Sequence, residues 1–174
     1  SLTGCFDRAH GMKLLSGKLQ RARHYKKPLS LVMLDLDNFK LINDCYGHLC
    51  GDAVLRAVGR CIRAVFPSTS IQCRFGGEEF FVVLSDTAYG EAVNFADQLR
   101  NEIENIEVLW QEKTISTTGS VGVAIAGLED IDAEILLTRA DAALYLAKDK
   151  GRNRVCVDMK ARCSEIVPVL YSSL

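Results

Sequence analysis

A nearly continuous apolar pattern covers residues 29–36, where only Ser30 and Asp35 interrupt Leu, Val and Met. Such a run is typical of a strand buried on both faces, because a strand with one solvated face alternates apolar and polar residues. We therefore predict a central strand at Leu29–Leu36. The strand runs into Asp37, and its two-residue period places Asp35 and Asp37 on the same face.

Two further apolar segments, residues 71–75 and 80–84, flank a Gly-Gly pair. This pattern predicts a tight β-hairpin, because glycine accepts the positive φ values that the favoured two-residue turns require. A turn without side chains also lets a ligand approach the backbone closely. Glu78 and Glu79 follow the glycines. A solvated hairpin tip would explain the same residues, so the spacing alone leaves both interpretations open.

Periodicity predicts five helices and several short strands. The helices are expected at residues 5–26, 38–46, 51–65, 88–104 and 131–150, and further strands at 106–110, 114–126 and 155–157. Asp52, at the start of the third helix, is expected to be its N-cap. Because the order mixes hairpins with helical crossovers, we predict an α+β, ferredoxin-like or palm-type sandwich. Helices would surround a central, mostly antiparallel sheet.

Composition narrows the function classes. The 174 residues are 48% hydrophobic and 25% charged, with a net charge of −1, so we expect one globular domain and neither nucleic-acid binding nor membrane contact. The seven cysteines lack metal-binding spacing, which predicts reduced thiols in a cytoplasmic protein. We place the domain at residues 1–157, before a tail at 158–174 without an assigned role. The start without methionine suggests a fragment of a longer protein.

In the predicted sandwich, the end of the central strand and the hairpin turn can be neighbours. Asp35, Asp37, Glu78 and Glu79 would then meet, and four carboxylates repel one another unless divalent cations offset their charge. Oxygen ligands of this type suit Mg²⁺, which often shares its coordination shell with substrate phosphates. Two such ions held by carboxylates are typical of sites for in-line attack at phosphorus.

A cationic segment lies at the end of the last predicted helix. Lys148 and Arg152 are four residues apart and are expected to share a helix face. A basic helix C-terminus is common in any case, because it complements the helix dipole. Beside acidic metal ligands, however, the pair predicts a clamp for a triphosphate.

Several motifs match one family in order and spacing. They are LTG at 2–4, DLDNFKLIND at 35–44, YGH at 46–48, GD at 51–52, RFGGEEF at 74–80, ADAALYLAK at 140–148 and GRNRV at 151–155. Together they resemble the GGDEF family of diguanylate cyclases, in its Glu-containing form, over almost the whole chain. The resemblance implies a fold like the catalytic palm of nucleotide cyclases and polymerases.

The resemblance also implies a reaction in which two GTP molecules give cyclic di-GMP and two pyrophosphates. Each of two identical domains would hold one GTP, and the 3′-hydroxyl of each nucleotide would attack the α-phosphate of the other. The implied cofactor is Mg²⁺, with Mn²⁺ as a substitute, at about two ions per site. The implied partners are a second copy of the domain and an upstream sensor domain.

Roles for individual residues follow from their positions in the motifs. The implied metal ligands are Asp35, Glu78 and the Leu36 carbonyl, with Glu79 supporting a second ion. The implied catalytic residues are Glu78, which would help to deprotonate the 3′-hydroxyl, Glu79 and Lys40. The residues implied to bind GTP are Asn43, Asp52 and His48 at the guanine, Asn38, Phe39, Lys40, Lys148 and Arg152 at the phosphates, and Gly76 and Gly77 beside the α-phosphate.

Two other functions are compatible with these motifs. One is a catalytically silent module that senses GTP or dimerises, and the other is a related cyclase that uses ATP. Asp52 argues against ATP, because a carboxylate accepts hydrogen bonds from N1–H and N2–H₂ of guanine and would repel the acceptor edge of adenine.

Many family members carry an inhibitory product site, Arg-x-x-Asp, that ends six positions before the first signature glycine. This chain has Pro67 and Ser70 at those two positions. We therefore predict that cyclic di-GMP does not inhibit the domain by binding at residues 67–70. Initial rates measured with increasing cyclic di-GMP test this prediction. Inhibition that substitutions at residues 67–70 relieve would contradict it.

Overall fold

In the computed structural model, the apolar run forms the middle strand of a five-stranded sheet. The strands of that sheet are β1 (Leu29–Leu36), β2 (Ile71–Gly76), β3 (Glu79–Ser85), β6 (Gly119–Ile125) and β7 (Val155–Val157), while β4 (Val108–Trp110) and β5 (Lys113–Ile115) form a separate hairpin. The order is β2-β3-β1-β6-β7, with only the β6–β7 pair parallel. All eight residues of β1 are buried, which confirms the predicted central strand.

Helices cover both faces of this sheet. They are α1 (Arg8–Tyr25), α2 (Phe39–Tyr46), α3 (His48–Val65), α4 (Tyr89–Glu104) and α5 (Ala133–Asp149). One core forms between the sheet and α2, α3 and α4, and a second forms between the sheet and α1 and α5. Along the chain, helices connect β1 to β2 and β3 to β6, while β2 and β3 form a hairpin. In the sheet these four strands lie in the order β6-β1-β3-β2. This topology is ferredoxin-like, so the predicted α+β fold is confirmed.

The alternation of side chains along β1 fixes how this strand pairs. Val32 and Leu34 point into the core with α3 and α4, whereas Leu31 and Met33 point into the core with α1 and α5. Each fully buried side chain of this size contributes about 1.5–3 kcal/mol. A slip of one residue would exchange the two faces, so the register at the end of β1 is strongly specified.

Two sequence predictions about element boundaries are wrong. The strand expected at 114–126 is two strands, because Ser116 to Thr118 lie outside both β5 and β6. Gly119 opens β6, where a Cβ would lie 2.7 Å from Cδ1 of Leu34. Asp52 is not an N-cap, since α3 already begins at His48 after Gly47 turns the chain with a φ of 82°.

The structure describes residues 2–127, 130 and 132–158. The tail predicted at 158–174 therefore lies outside the described residues, apart from Asp158. Within the described part, none of the helices combines the length and apolar character that a membrane crossing requires.

The absence of a side chain at Gly122 allows α5 to pack closely on β6. A Cβ at this position would lie 2.2 Å from the Ala140 carbonyl oxygen and 2.3 Å from the Leu144 nitrogen, which are both backbone atoms. We predict that Gly122→Ala lowers the free energy of unfolding by about 1–3 kcal/mol in denaturant titrations. The matched control is Gly17→Ala in α1, where no atom lies within 4 Å of the added Cβ. It should raise stability by about 0.5–1 kcal/mol, and equal effects at both sites would contradict this packing.

Candidate active site

The β1–β3 pairing places two acidic residues directly opposite each other. Asp35 pairs with Glu79, and on its other side Asp35 pairs with Ser120 of β6. Directly opposed residues in antiparallel strands project on the same face, with Cβ atoms about 4.5–5.5 Å apart. The register of the central strand therefore brings the two carboxylates to one edge of the sheet.

Glu78 joins this pair because it stands in the hairpin turn itself. Gly76 belongs to β2, and the two-residue loop consists of Gly77, with a φ of 48°, and Glu78. The turn is thus Gly-Glu rather than the predicted Gly-Gly. Arg74 closes it by donating a hydrogen bond from Nε to the Gly77 carbonyl at 2.9 Å. Sequence reasoning gave this arginine no role, although it opens the RFGGEEF motif.

The electrostatics of the carboxylates favour a neighbouring cation. Burial raises the pKa of Asp35, and the charges of Glu78 and Asp37 raise it further, against the lowering effect of Lys148. Burial and the charge of Asp35 likewise raise the pKa of Glu79. Lys148 reaches this cluster from α5, with Nζ 2.8 Å from Oδ2 of Asp35. Positive charge at this edge offsets a repulsion that the fold imposes.

These residues fit a divalent ion that keeps part of its shell for other ligands. Among the residues that the structure describes, no three Asp, Glu, His or Cys side chains are grouped as a closed metal site. Mg²⁺ does not need one, because it usually binds one or two carboxylates, several waters and substrate phosphates. Asp35, Glu78 and the Leu36 carbonyl supply a donor set of this kind, made of oxygen alone.

Asp37 has a different environment from the other three acids. It is 6% exposed and accepts hydrogen bonds from the hydroxyls of Thr118 and Ser120, each at 2.7 Å, and from the Asn153 N–H at 3.1 Å. These contacts use both of its carboxylate oxygens. Asp37 therefore ties β1 to the start of β6 and to the segment after α5, although its charge still acts on Asp35.

The residues implied for guanine meet where α2 packs against α3. A Cβ at Gly51 would lie 2.0 Å from Oδ1 of Asn43, so this glycine lets the Asn43 amide lie directly against α3. Asp52 is the next residue, and both Asn43 and Asp52 are half-buried. His48, the first residue of α3, is exposed beside them. An amide and a carboxylate, each half-buried, are thus held side by side where the two helices pack together.

The start of α2 carries the three residues predicted at the phosphates, Asn38, Phe39 and Lys40. Asn38 adopts a left-handed conformation with a φ of 56° and makes no side-chain cap hydrogen bond. The ring of Phe39 is buried in the core, which leaves only its backbone for a ligand, whereas Lys40 is exposed. Free N–H groups at a helix start attract phosphate.

The two cations of the predicted clamp lie on different elements. Helix α5 ends at Asp149, so Lys148 is in its last turn, whereas Arg152 stands in the following loop with a φ of 61°. The predicted shared helix face is therefore wrong.

A groove of about 340 Å³ elsewhere, beside Pro28 and Ser85, lies at the opposite end of β1 and contains none of the predicted residues.

Comparison with known proteins agrees with this geometry. The family described as "Diguanylate cyclase, GGDEF domain" matches residues 1–154. The chain belongs to this family. The GGDEF domain is 40% identical over 130 residues to "Diguanylate cyclase A" of Treponema denticola, a match that covers 75% of this chain and 35% of the relative.

Two solved structures share the fold over most of both chains. The GGDEF domain of DgcB from Caulobacter crescentus, solved in complex with c-di-GMP, has a TM-score of 0.88 and 30% identity, over 91% of this chain and 92% of that one. The active GGEEF domain of a diguanylate cyclase from Vibrio cholerae has a TM-score of 0.83 and 34% identity, over 88% and 97%. The present GGDEF domain spans about a third of the first curated relatives, at 35% and 34% of their lengths.

The three hydrogen bonds of Asp37 generate a stability prediction for this GGDEF domain. Asp37→Ala should lower the free energy of unfolding by about 1–3 kcal/mol, because it leaves the buried hydroxyl of Ser120 and the half-buried donors of Thr118 and Asn153 without this partner. Urea titration followed by circular dichroism measures the change. Asp44→Ala, at an exposed position of α2, is the control and should stay within about 0.5 kcal/mol of the unchanged domain. An unchanged midpoint for Asp37→Ala would contradict the assignment.

Proposed function

We propose that this domain is a diguanylate cyclase that condenses two GTP molecules into cyclic di-GMP and two pyrophosphates. The observation that carries the proposal is the pairing of Asp35 with Glu79 beside Glu78 in the turn. Burial and the charges of neighbouring carboxylates raise the pKa values of Asp35 and Glu79, and a bound cation would offset that repulsion. Membership of the GGDEF family supports the same reaction class.

In this proposal, Asp35, Glu78 and the Leu36 carbonyl hold Mg²⁺, and Glu79 supports a second ion. Bound Mg²⁺ would neutralise charge on the α-phosphate and favour ionisation of the attacking 3′-hydroxyl. Glu78 accepts the proton of that hydroxyl, because it is the carboxylate at the hairpin tip. Gly76 and Gly77 carry no side chains that would obstruct the phosphate, and the space beside Gly77 is free to 4 Å.

Guanine recognition is assigned to the half-buried pair Asn43 and Asp52, where α2 packs against α3. Asp52 accepts hydrogen bonds from the N1–H and N2–H₂ donors of guanine, while the Asn43 amide complements the remaining edge. His48 is the exposed first residue of α3, one helical turn before Asp52. Adenine presents an acceptor at N1, which faces repulsion from the Asp52 carboxylate, so the proposal includes selectivity for GTP over ATP.

The phosphates are assigned to the start of α2 and the end of α5. The N–H groups of Asn38 and Phe39 and the side chain of Lys40 lie at the start of α2, and Lys148 and Arg152 approach from the end of α5 and its loop. The Nζ of Lys148 already lies beside Asp35, within reach of a phosphate held there. Each domain binds one GTP, so the attacking hydroxyl comes from the nucleotide on a second copy.

Incubation with Mg²⁺ and either GTP or ATP tests the proposal directly. We expect cyclic di-GMP from GTP at high protein concentration and no cyclic dinucleotide from ATP. Glu78→Gln should reduce turnover by a factor of about 100 or more while the unfolding midpoint stays unchanged, because the amide neither accepts the proton nor carries the charge. Chromatography of the nucleotides measures both results.

Glu107→Gln, at an exposed position before β4, is the matched control and should keep full activity. A domain that binds GTP without forming product would instead be a silent GTP-sensing module. Full turnover by Glu78→Gln would show that the catalytic assignment is wrong.

A further inference from the structure

A hydrogen-bonded bridge connects α4 to the loop that carries Arg152. Arg100, near the C-terminal end of α4, binds Asp97 at 3.0 Å and Glu104 at 2.8 Å on its own helix. Its Nη1 also donates to Oδ1 of Asn153 at 3.0 Å. The Asn153 amide in turn donates from Nδ2 to Oε1 of Glu104 at 2.9 Å. One asparagine side chain therefore satisfies a cation and an anion on the same helix.

The main chain of Asn153 connects this bridge to the strand of the carboxylates. Its N–H donates to Oδ2 of Asp37 at 3.1 Å, and Asp37 is itself held by Thr118 and Ser120. Asp37 lies two residues beyond Asp35. Asn153 is thus fixed at both its backbone and its side chain, between α4 on one side and the end of β1 on the other.

The loop at residues 151–153 has an unfavourable backbone conformation, which the surrounding contacts must stabilise. Gly151, Arg152 and Asn153 have φ values of 106°, 61° and 43°, all in the left-handed region. That region costs residues other than glycine about 1–2 kcal/mol each, although asparagine tolerates it best. Arg152 is exposed, so the position from which its side chain extends depends on the backbone of the loop rather than on side-chain packing.

We propose that Asn153 is a positioning residue that holds Arg152 in place to bind the GTP triphosphate. The side chain of Asn153 fixes the loop to Arg100 and Glu104, and its N–H fixes the loop to Asp37. The backbone of Arg152 is thereby held in the loop that directly follows the last turn of α5, which carries Lys148, so the loop itself needs little ordering when nucleotide binds. This inference rests on the proposed function, because Arg152 matters in this way only if GTP binds at the carboxylates.

A double-mutant cycle on GTP affinity tests the coupling. The variants are Asn153→Gly, which permits the positive φ and keeps the N–H to Asp37, Arg152→Asn, which also suits a positive φ, and the two combined. Calorimetry with GTP and Mg²⁺ gives Kd, and pyrophosphate release gives KM and kcat. We expect Asn153→Gly to raise Kd and KM by about tenfold, with a smaller change in kcat. The double variant should bind GTP no more weakly than Arg152→Asn alone.

Two outcomes would overturn the inference: Asn153→Gly binding GTP like the unchanged domain, or the two single effects multiplying in the double variant. Multiplied effects would mean that Asn153 does not act through Arg152. A domain that binds GTP but makes no product would refute the proposed function, while the Kd values would still decide the role of Asn153. Unfolding midpoints recorded in parallel distinguish a loss of fold from a loss of affinity.

An exchange of chemical groups across the bridge provides a second, independent measurement. Asn153→Asp places a carboxylate against Glu104 and should weaken GTP binding by about tenfold, because like charges repel at this distance. Adding Glu104→Gln restores an amide–carboxylate pair in the opposite sense, and should return Kd to within about threefold of the unchanged domain. Glu104→Gln alone can still accept from Asn153 but loses the carboxylate contact with Arg100, so its own Kd is the reference that corrects the double variant for that loss. A double variant no better than Asn153→Asp would contradict the bridge.

Discussion

The opposition of Asp35 and Glu79 across β1 and β3 is the constraint on which the rest of the site depends. Apolar residues on both faces of β1 fix its register, and that register places two acids side by side at the edge of the sheet. With Glu78 in the adjoining turn, burial and like charge both oppose ionisation. Positive charge near these carboxylates therefore stabilises their ionised form. Lys148 supplies one such charge, and a bound metal ion would supply more.

The surrounding elements carry the other residues that the proposal assigns to GTP. Gly51 lets the Asn43 amide lie against α3, next to Asp52. Gly122 lets α5, the helix that carries Lys148, pack closely on β6. Helix α2 contributes free N–H groups, and the loop after α5 contributes Arg152. In the proposed function these parts bind one GTP, and the attacking hydroxyl is supplied by another copy. Asn153 connects the loop of Arg152 to Arg100 and Glu104 of α4, which are not among the residues assigned to nucleotide.

Sequence reasoning predicted the features that depend on local pattern. The continuous apolar run identified β1, and the apolar segments around Gly76 and Gly77 identified the hairpin. It could not predict features that depend on tertiary contact: the break before Gly119 where Leu34 packs, the start of α3 ahead of Asp52, and the end of α5 before Arg152. Residue roles came from resemblance to the family, and they remain proposals. The hydrogen bonds of Asp37 with Thr118, Ser120 and Asn153 join residues about 80 and 116 positions apart, so no motif indicated them.

The central claim is that this domain is one half of a site for two GTP molecules, and a mixing experiment tests it most directly. The unchanged domain and Glu78→Gln are combined in different ratios at constant total concentration, with saturating GTP and Mg²⁺, and the initial rate of cyclic di-GMP formation is measured. If both copies must be intact, the rate follows the square of the unchanged fraction, and replacing half of the protein leaves about a quarter of the rate. A rate that falls only in proportion to the unchanged fraction would show that one domain suffices and would contradict the account.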